Sequence, residues 1–142
     1  MKLTGSRALF SAALVALAVA PASALAAGSA HPAPVIEIKT SNVGTVLATP
    51  GKLAFYTWDT EKKAGGKIKC TGACAKAWPP VLVKGMMIEK HYKGVMGTFG
   101  EIKRPDGTTQ LTEGGLAVYT FHGDTAGVVK CDGVDGWHAV RA

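Results

Sequence analysis

The chain has 142 residues and a net charge of +6, from 16 basic and 10 acidic side chains, with 18 glycines and 7 prolines. Its length suits one domain, and its glycine and proline content argues against long helices after the amino-terminal segment. The basic side chains are scattered and are not interleaved with stacking aromatics. The chain therefore lacks the pattern that is typical of nucleic-acid binding proteins.

The amino terminus has the pattern of a secretory signal peptide. Two basic residues precede the apolar stretch 8–20, and Ala24-Leu25-Ala26 fits the small-residue rule for cleavage. The stretch is shorter than the ~20 apolar residues that a spanning helix needs, and Pro21 ends it. We therefore predict a signal peptide at 1–26 and a mature protein that does not span the membrane. The expected location is the periplasm or the extracellular space.

The first half of the mature chain has strand and turn signals. Residues 27–34 are small or polar residues and prolines, which predicts a flexible leader. The alternation in Val35–Lys39 predicts a strand. The runs 44–48 and 53–58 flank a turn that contains Pro and Gly, which predicts a hairpin.

One short helix is predicted, near 73–78, because Pro79-Pro80 stops it at once. The second half has further strand signals, separated by turns that contain glycine. These strand-like runs are 98–103, 108–111, 116–121 and 137–140. The sequence thus predicts a mainly β fold, a small antiparallel domain over 35–142 made of two related repeats, 35–83 and 96–142.

The two repeats contain nearly the same residues. Leu-Ala-Phe-Tyr-Thr-Trp at 53–58 returns as Leu-Ala-Val-Tyr-Thr-Phe at 116–121. Each copy has an acid five places after its tyrosine, then Lys-Cys-x-Gly, and then a tryptophan. Such self-similarity indicates one supersecondary unit that is used twice. The repeated side chains are Tyr56, Trp58, Glu61 and Trp78 in the first copy, and Tyr119, Phe121, Asp124 and Trp137 in the second.

This pattern resembles a family of exported bacterial tandem-repeat proteins that carry a Tyr-x4-Asp motif. The second copy matches through Tyr119 and Asp124, whereas the first has Glu61 in place of the aspartate. The segments 70–80 and 104–112 also resemble family motifs. Many relatives are lipoproteins, but this chain has no cysteine near the predicted cleavage site. The resemblance implies an exported protein and transfers no catalytic residue, because the family has no established function.

An exported protein with three cysteines is expected to carry one disulfide and one free thiol. A bond from Cys131 to Cys70 or Cys74 would close the longer loop and would stabilise more by loop entropy. The family resemblance pairs Cys70 with Cys74 instead, and Gly72 lets the backbone tighten between them. We therefore expect Cys70–Cys74 and a buried, unreactive Cys131. An exchangeable redox pair remains an alternative.

The repeated tyrosines and acids have two interpretations. Tyr56 with Glu61, and Tyr119 with Asp124, could act as an acid and its partner in catalysis. Alternatively, the acids hold turns and the tyrosines pack in the core, which explains the repetition more simply. We favour the structural interpretation for the whole motif set, and we expect Arg104 and Asp106 to be turn residues.

Methionine and histidine suggest a second function class. Soft Met and His ligands suit copper, and the chain offers a set of them, namely Met86, Met87, His91, Met96, His122 and His138. They form no Met-x-x-Met ladder and no His-x-His pair. We therefore expect no metal site, no cofactor and no enzyme activity, but an exported protein that binds or supports an unknown envelope component. The alternative is an electron-transfer or metal- and haem-handling accessory protein.

Overall fold

The computed structural model of the protein describes residues 32–142. The predicted signal peptide and residues 27–31 of the predicted leader lie outside these residues. Pro34, the last residue of that leader, is buried. Between residues 32 and 142 no helix is both long enough and apolar enough to cross a bilayer.

The fold is mainly β, as predicted, with antiparallel strands and short helices. Three small sheets are formed, with strand orders β1–β2, β3–β7 and β4–β5–β6. The strands are β1 (Ile36–Lys39), β2 (Thr45–Ala48), β3 (Tyr56–Trp58), β4 (Phe99–Lys103), β5 (Thr109–Glu113), β6 (Leu116–Ala117) and β7 (Trp137–Ala139). The helices are α1 (Asp59–Lys63) and α2 (Ala73–Ala77).

The predicted turns connect the strands that flank them. After β2 the chain turns at residues 49–52, and the Phe55 N–H donates to the Leu47 carbonyl at 2.8 Å. In the second half, β4 and β5 form a hairpin. Asp106 Oδ1 accepts the Thr108 N–H in its turn at 2.9 Å. Glycines 114 and 115 then connect β5 to its antiparallel neighbour β6.

The prediction of a single helix was wrong. Helix α2 occupies the predicted place, and α1 precedes it directly after β3. Helix α1 has acidic residues in its first turn and basic residues in its last turn, which favours the helix dipole. It has no apolar periodicity, so the pattern that predicts helices is missing. Gly66, at a φ of 82°, ends the helix by donating its N–H to the Glu61 carbonyl.

Strands of the two repeats pair with each other. Strand β3 of the first repeat lies antiparallel to β7 of the second, with Tyr56 opposite Ala139 and Trp58 opposite Trp137. Tyr56 and Tyr119 also exchange backbone hydrogen bonds, of 2.8 Å and 2.9 Å. The repeats are therefore interlocked by their backbones and share their core.

The repeated segments supply two apolar clusters from alternate residues. Ala54 and Tyr56 face the first cluster and Phe55 the second, because successive side chains along an extended segment point to opposite faces. In the second copy, Ala117 and Tyr119 face the first cluster and Val118 faces the second. Both repeated segments are therefore buried on both faces. The motif aromatics all lie in or against the first cluster.

Candidate functional site

The first contact among the motif side chains joins the tyrosine of one repeat to the acid of the other. The Tyr56 hydroxyl donates a hydrogen bond of 2.6 Å to Asp124 Oδ2. The other oxygen, Asp124 Oδ1, accepts the backbone N–H of Lys130 at 3.0 Å. Asp124 thus holds the Lys-Cys segment of its own repeat and the tyrosine of the first.

The second contact is the counterpart of the first. The Tyr119 hydroxyl donates to Glu61 Oε1 at 2.8 Å. The same oxygen accepts the backbone N–H groups of Lys69 at 2.7 Å and Cys70 at 3.0 Å. Glu61 thus holds the Lys-Cys segment of the first repeat and the tyrosine of the second.

The motif is therefore completed across the repeats. The catalytic alternative paired each tyrosine with the acid of its own copy, whereas the structure pairs each tyrosine with the acid of the other copy. Tyr56 and Tyr119 lie opposite each other as an antiparallel pair, so that each hydroxyl reaches the acid of the opposite repeat. We call the two tyrosines and two acids, Tyr56, Glu61, Tyr119 and Asp124, the reciprocal clasp.

The two acids of the reciprocal clasp differ in their surroundings. Glu61 is only 1% exposed, whereas Asp124 is half-buried. Glu61 Oε2 is buried and has no hydrogen-bond partner among the described residues. Solvent therefore reaches Asp124, whereas it hardly reaches Glu61.

Both tyrosine hydroxyls hold their protons strongly. Burial raises the pKa of Tyr56 far above its usual range, and the hydrogen bond and negative charge of Asp124 raise it further. The pKa of Tyr119 is raised by the same causes, with Glu61 as the carboxylate. Both phenols are therefore neutral at ordinary pH.

Arg104, in the second repeat, stabilises the contact between the repeats by binding the first repeat. Its guanidinium donates through Nη1 to Gln110 Oε1 at 2.6 Å, and through Nη2 to the Cys70 carbonyl at 2.7 Å. Gln110 Nε2 in turn donates to the Val118 carbonyl at 2.8 Å. Arg104 begins a turn, as predicted, because its carbonyl accepts the Gly107 N–H at 2.9 Å, but the contacts of its buried guanidinium and the role of Gln110 were not predicted. The signal was present, since both lie in the segment 104–112 that carries part of the resemblance.

The motif aromatics form one continuous stack. Trp137 lies between Trp58, at a centroid distance of 5.0 Å, and Trp78, at 3.9 Å, with interplanar angles of 2° and 8°. Phe121 packs on the far side of Trp78 at 4.7 Å. The tyrosines meet the stack edge-on, Tyr56 against Trp78 and Tyr119 against Trp137, each at 5.2 Å. The structure thus brings all eight predicted motif residues to the contact between the repeats.

The cysteines pair as expected from the resemblance. Cys70 and Cys74 form a disulfide that spans the start of α2, with Gly72 between them at a φ of 56°. Cys131 is a free thiol, but it is half-buried, so the prediction of a buried thiol was wrong. Burial raises the pKa of the Cys131 thiol, and the charges of Asp124 and Asp135 add to this effect.

Each histidine of the predicted set lies beside a different group. His91 Nδ1 lies 3.1 Å from the Gly97 carbonyl, His138 lies 3.1 Å from Asp59, and His122 packs against Phe121. Met86, Met87 and Met96 are exposed. Between residues 32 and 142, no group of three or more His, Cys, Asp and Glu side chains could hold a metal ion.

A groove lies away from the reciprocal clasp. It has a volume of about 340 Å³ and lies beside the β4–β5 hairpin. Its lining residues are Leu82, Lys84, Lys103, Asp106, Gly107, Thr108 and Thr109. None of the eight repeated aromatic and acidic side chains lines this groove, so the tyrosines and acids of the reciprocal clasp do not face it.

Comparison with known proteins agrees with the two repeats of the structure. The family model described as a secreted repeat of unknown function matches residues 37–82 and 100–141, which is more than half of the chain. No curated protein and no solved structure matches the chain. The two matched stretches coincide with the two halves that the reciprocal clasp joins, and the chain belongs to this family of secreted repeats of unknown function.

Proposed function

We propose that the protein is a non-catalytic exported domain that binds or supports a component of the cell envelope. The observation that carries this proposal is the reciprocal clasp. Both motif tyrosines are fully buried and donate their hydroxyls to the acid of the opposite repeat. The repeated motif therefore serves to join the two repeats, and the function of the protein belongs to its outer surface.

The chemistry of the motif supports a structural role over catalysis. A general acid works best with a pKa near the operating pH and within reach of a substrate. The tyrosine pKa values are raised instead, and their hydroxyls already have partners. The groove lies elsewhere and is lined by none of these groups. A substrate could not reach either phenol without the separation of the repeats.

The segment between the repeats supports a binding role. Most of the exposed large apolar side chains of the described chain lie close together in sequence, namely Leu82, Met86, Met87 and Met96. Methionine adapts its shape to a partner, and it is frequent at binding surfaces. The envelope component is therefore expected to contact residues 82–96 and the adjoining groove.

The test compares the hydroxyl of Tyr119 with that of Tyr92, the tyrosine outside the motif. Tyr119→Phe removes a hydrogen bond to a carboxylate and should cost about 1.5–3 kcal/mol of unfolding free energy. The Tyr92 hydroxyl accepts from an exposed N–H, so Tyr92→Phe should stay within about 0.5 kcal/mol. Denaturant unfolding measures both.

The same variants are screened for hydrolase and thiol-exchange turnover. We expect none in the wild-type protein. Turnover that disappears in Tyr119→Phe, while its unfolding free energy stays that of the wild type, would contradict the proposal. That result would assign the clasp to catalysis.

A further inference from the structure

We propose that the aromatic stack is a one-electron relay that runs from Trp58 at the surface to the tyrosines of the reciprocal clasp. When Trp58 loses an electron, an electron from a clasp tyrosine replaces it through the stack. That tyrosine becomes a neutral radical, and its phenolic proton moves to the carboxylate of the opposite repeat. This activity goes beyond the binding or structural role proposed above and does not depend on it.

The electron path consists of rings in direct contact. From Trp58 to Trp137 the centroid distance is 5.0 Å, and from Trp137 to Tyr119 it is 5.2 Å. A branch runs from Trp137 to Trp78 at 3.9 Å and then to Tyr56 at 5.2 Å. Indole and phenol are the aromatic side chains that lose an electron most readily. Each tyrosine is therefore connected to Trp58 through indoles alone.

The proton path has one step at each tyrosine. A phenol that loses an electron becomes a strong acid, so it must lose its proton in the same event. Tyr56 has a carboxylate oxygen at 2.6 Å and Tyr119 has one at 2.8 Å. Glu61 also has a second oxygen without a partner among the described residues. Each clasp pair thus combines a donor ring with a proton acceptor at hydrogen-bond distance.

The relay has one accessible end. Trp58 is half-buried, and its indole N–H donates to the Asp135 carbonyl at 3.1 Å, whereas Trp78 and Trp137 are 9% and 3% exposed. At the other end of the stack Phe121 occupies the position equivalent to Trp58. A phenyl ring is far harder to oxidise than an indole. The two repeats therefore differ at this position, and Trp58 is where an external oxidant removes the electron.

The reaction balances as a single electron and a single proton. The oxidant is an outer-sphere transition-metal complex at the surface, which takes one electron from Trp58, and Trp137 then reduces the Trp58 radical cation. Tyr119 reduces Trp137 and passes its phenolic proton to Glu61. The oxidant has gained one electron, Tyr119 is a neutral radical, and Glu61 is a neutral acid. A one-electron donor reverses the sequence, and the proton returns to Tyr119.

The test uses the whole mature protein and a photo-oxidised ruthenium polypyridyl complex as the oxidant. Transient absorption and electron paramagnetic resonance separate tryptophan radicals from tyrosyl radicals. We expect a tryptophan radical that decays into a tyrosyl radical, more slowly in D₂O. The tyrosyl signal should persist in Tyr92→Phe, and it should be lost in Tyr56→Phe/Tyr119→Phe while the tryptophan radical remains.

A second variant covers the case in which the double substitution does not fold. Trp58→Phe changes a half-buried ring at the end of the stack, and it should slow formation of the tyrosyl radical while the protein stays folded. The proposal is overturned if the tyrosyl radical disappears in Tyr92→Phe, if the folded double variant retains it, or if Trp58→Phe forms it as fast as the wild-type protein. Absence of a tyrosyl radical in the wild-type protein has the same consequence.

Discussion

Glu61 joins the Lys-Cys segment of its own repeat to the tyrosine of the other repeat. One of its oxygens accepts three hydrogen bonds, from two backbone N–H groups and the Tyr119 hydroxyl, and the side chain is fully buried. A carboxylate is a stronger acceptor than an amide oxygen. Glu61 in the first repeat and Asp124 in the second therefore serve as the same kind of acceptor.

Replacing this carboxylate by an amide should destabilise the fold. Glu61→Gln keeps the shape of the side chain but removes its charge and places an amide group among buried atoms. We expect a loss of about 1.5–3 kcal/mol in unfolding free energy. Glu101→Gln, on the exposed face of β4, is the matched control and should change stability by less than about 0.5 kcal/mol. Denaturant unfolding measures both variants. If the two substitutions change the unfolding free energy equally, the Glu61 carboxylate does not stabilise the fold.

A second residue, Asp132, makes stability depend on pH. Burial raises the pKa of Asp132, but hydrogen bonds from Arg141 and the Ala139 N–H outweigh this effect and hold the pKa below its usual value. A lowered pKa stabilises the fold above the unfolded-state value of about 3.9, and this stability is lost as the pH falls through the folded-state value.

Asp132→Asn should therefore lower the melting temperature at about pH 6. The difference from the wild-type protein should shrink below about pH 4. The control is Asp135→Asn, because Asp135 is exposed and Asn tolerates its positive φ of 51°. A difference between wild type and Asp132→Asn that stays constant across this range would mean that the charge of Asp132 is irrelevant.

At the scale of elements, α2 depends on the disulfide at its start. The Cys70–Cys74 bond closes a short loop, and its entropic contribution is about 2 kcal/mol. Cys70→Ser/Cys74→Ser should therefore lower the unfolding free energy by about that amount. Cys131→Ser, which breaks no bond, should have a smaller effect. Peptide mapping without reduction should find Cys70 linked to Cys74, and a linked Cys131 would contradict the structure.

The elements differ in how far the sequence predicts them. The β4–β5 hairpin follows from two strand-like runs on either side of a turn that contains glycine, so local pattern is sufficient. Helix α1 was missed because its five residues are all polar, and its place is set by its capped carboxyl-terminal end and by the burial of Glu61. Element type is thus predictable where a periodic apolar face exists, and not where tertiary contacts decide.

The pairing between elements could not be predicted from the repeat. Tyr56 binds an acid 68 positions away and Tyr119 binds one 58 positions away. The acid five places after each tyrosine is the nearer partner in sequence. Sequence spacing therefore favours the pairing within a copy. The cross-repeat pairing follows only once Tyr56 and Tyr119 lie side by side, which is a property of the folded chain.

For the whole molecule, the reciprocal clasp makes the repeats interdependent. Each tyrosine hydroxyl binds an acid of the opposite repeat, and the aromatic stack alternates between side chains of the two repeats. A domain of this size has about 5–15 kcal/mol of total stability. The loss of either clasp pair would remove a large part of it, so we expect the two repeats to unfold together as one cooperative unit.

A double-mutant cycle tests the cross-repeat clasp most directly. The unfolding free energies of Tyr56→Phe, Asp124→Asn and their combination give the coupling energy of the cross-repeat pair. A parallel cycle of Tyr56→Phe with Glu61→Gln gives the coupling energy of the pair within one repeat. Side chains in contact couple by about 0.5–3 kcal/mol, and pairs without shared contacts add within about 0.5 kcal/mol. We predict coupling for Tyr56 with Asp124 and additivity for Tyr56 with Glu61, and the reverse result would contradict the clasp.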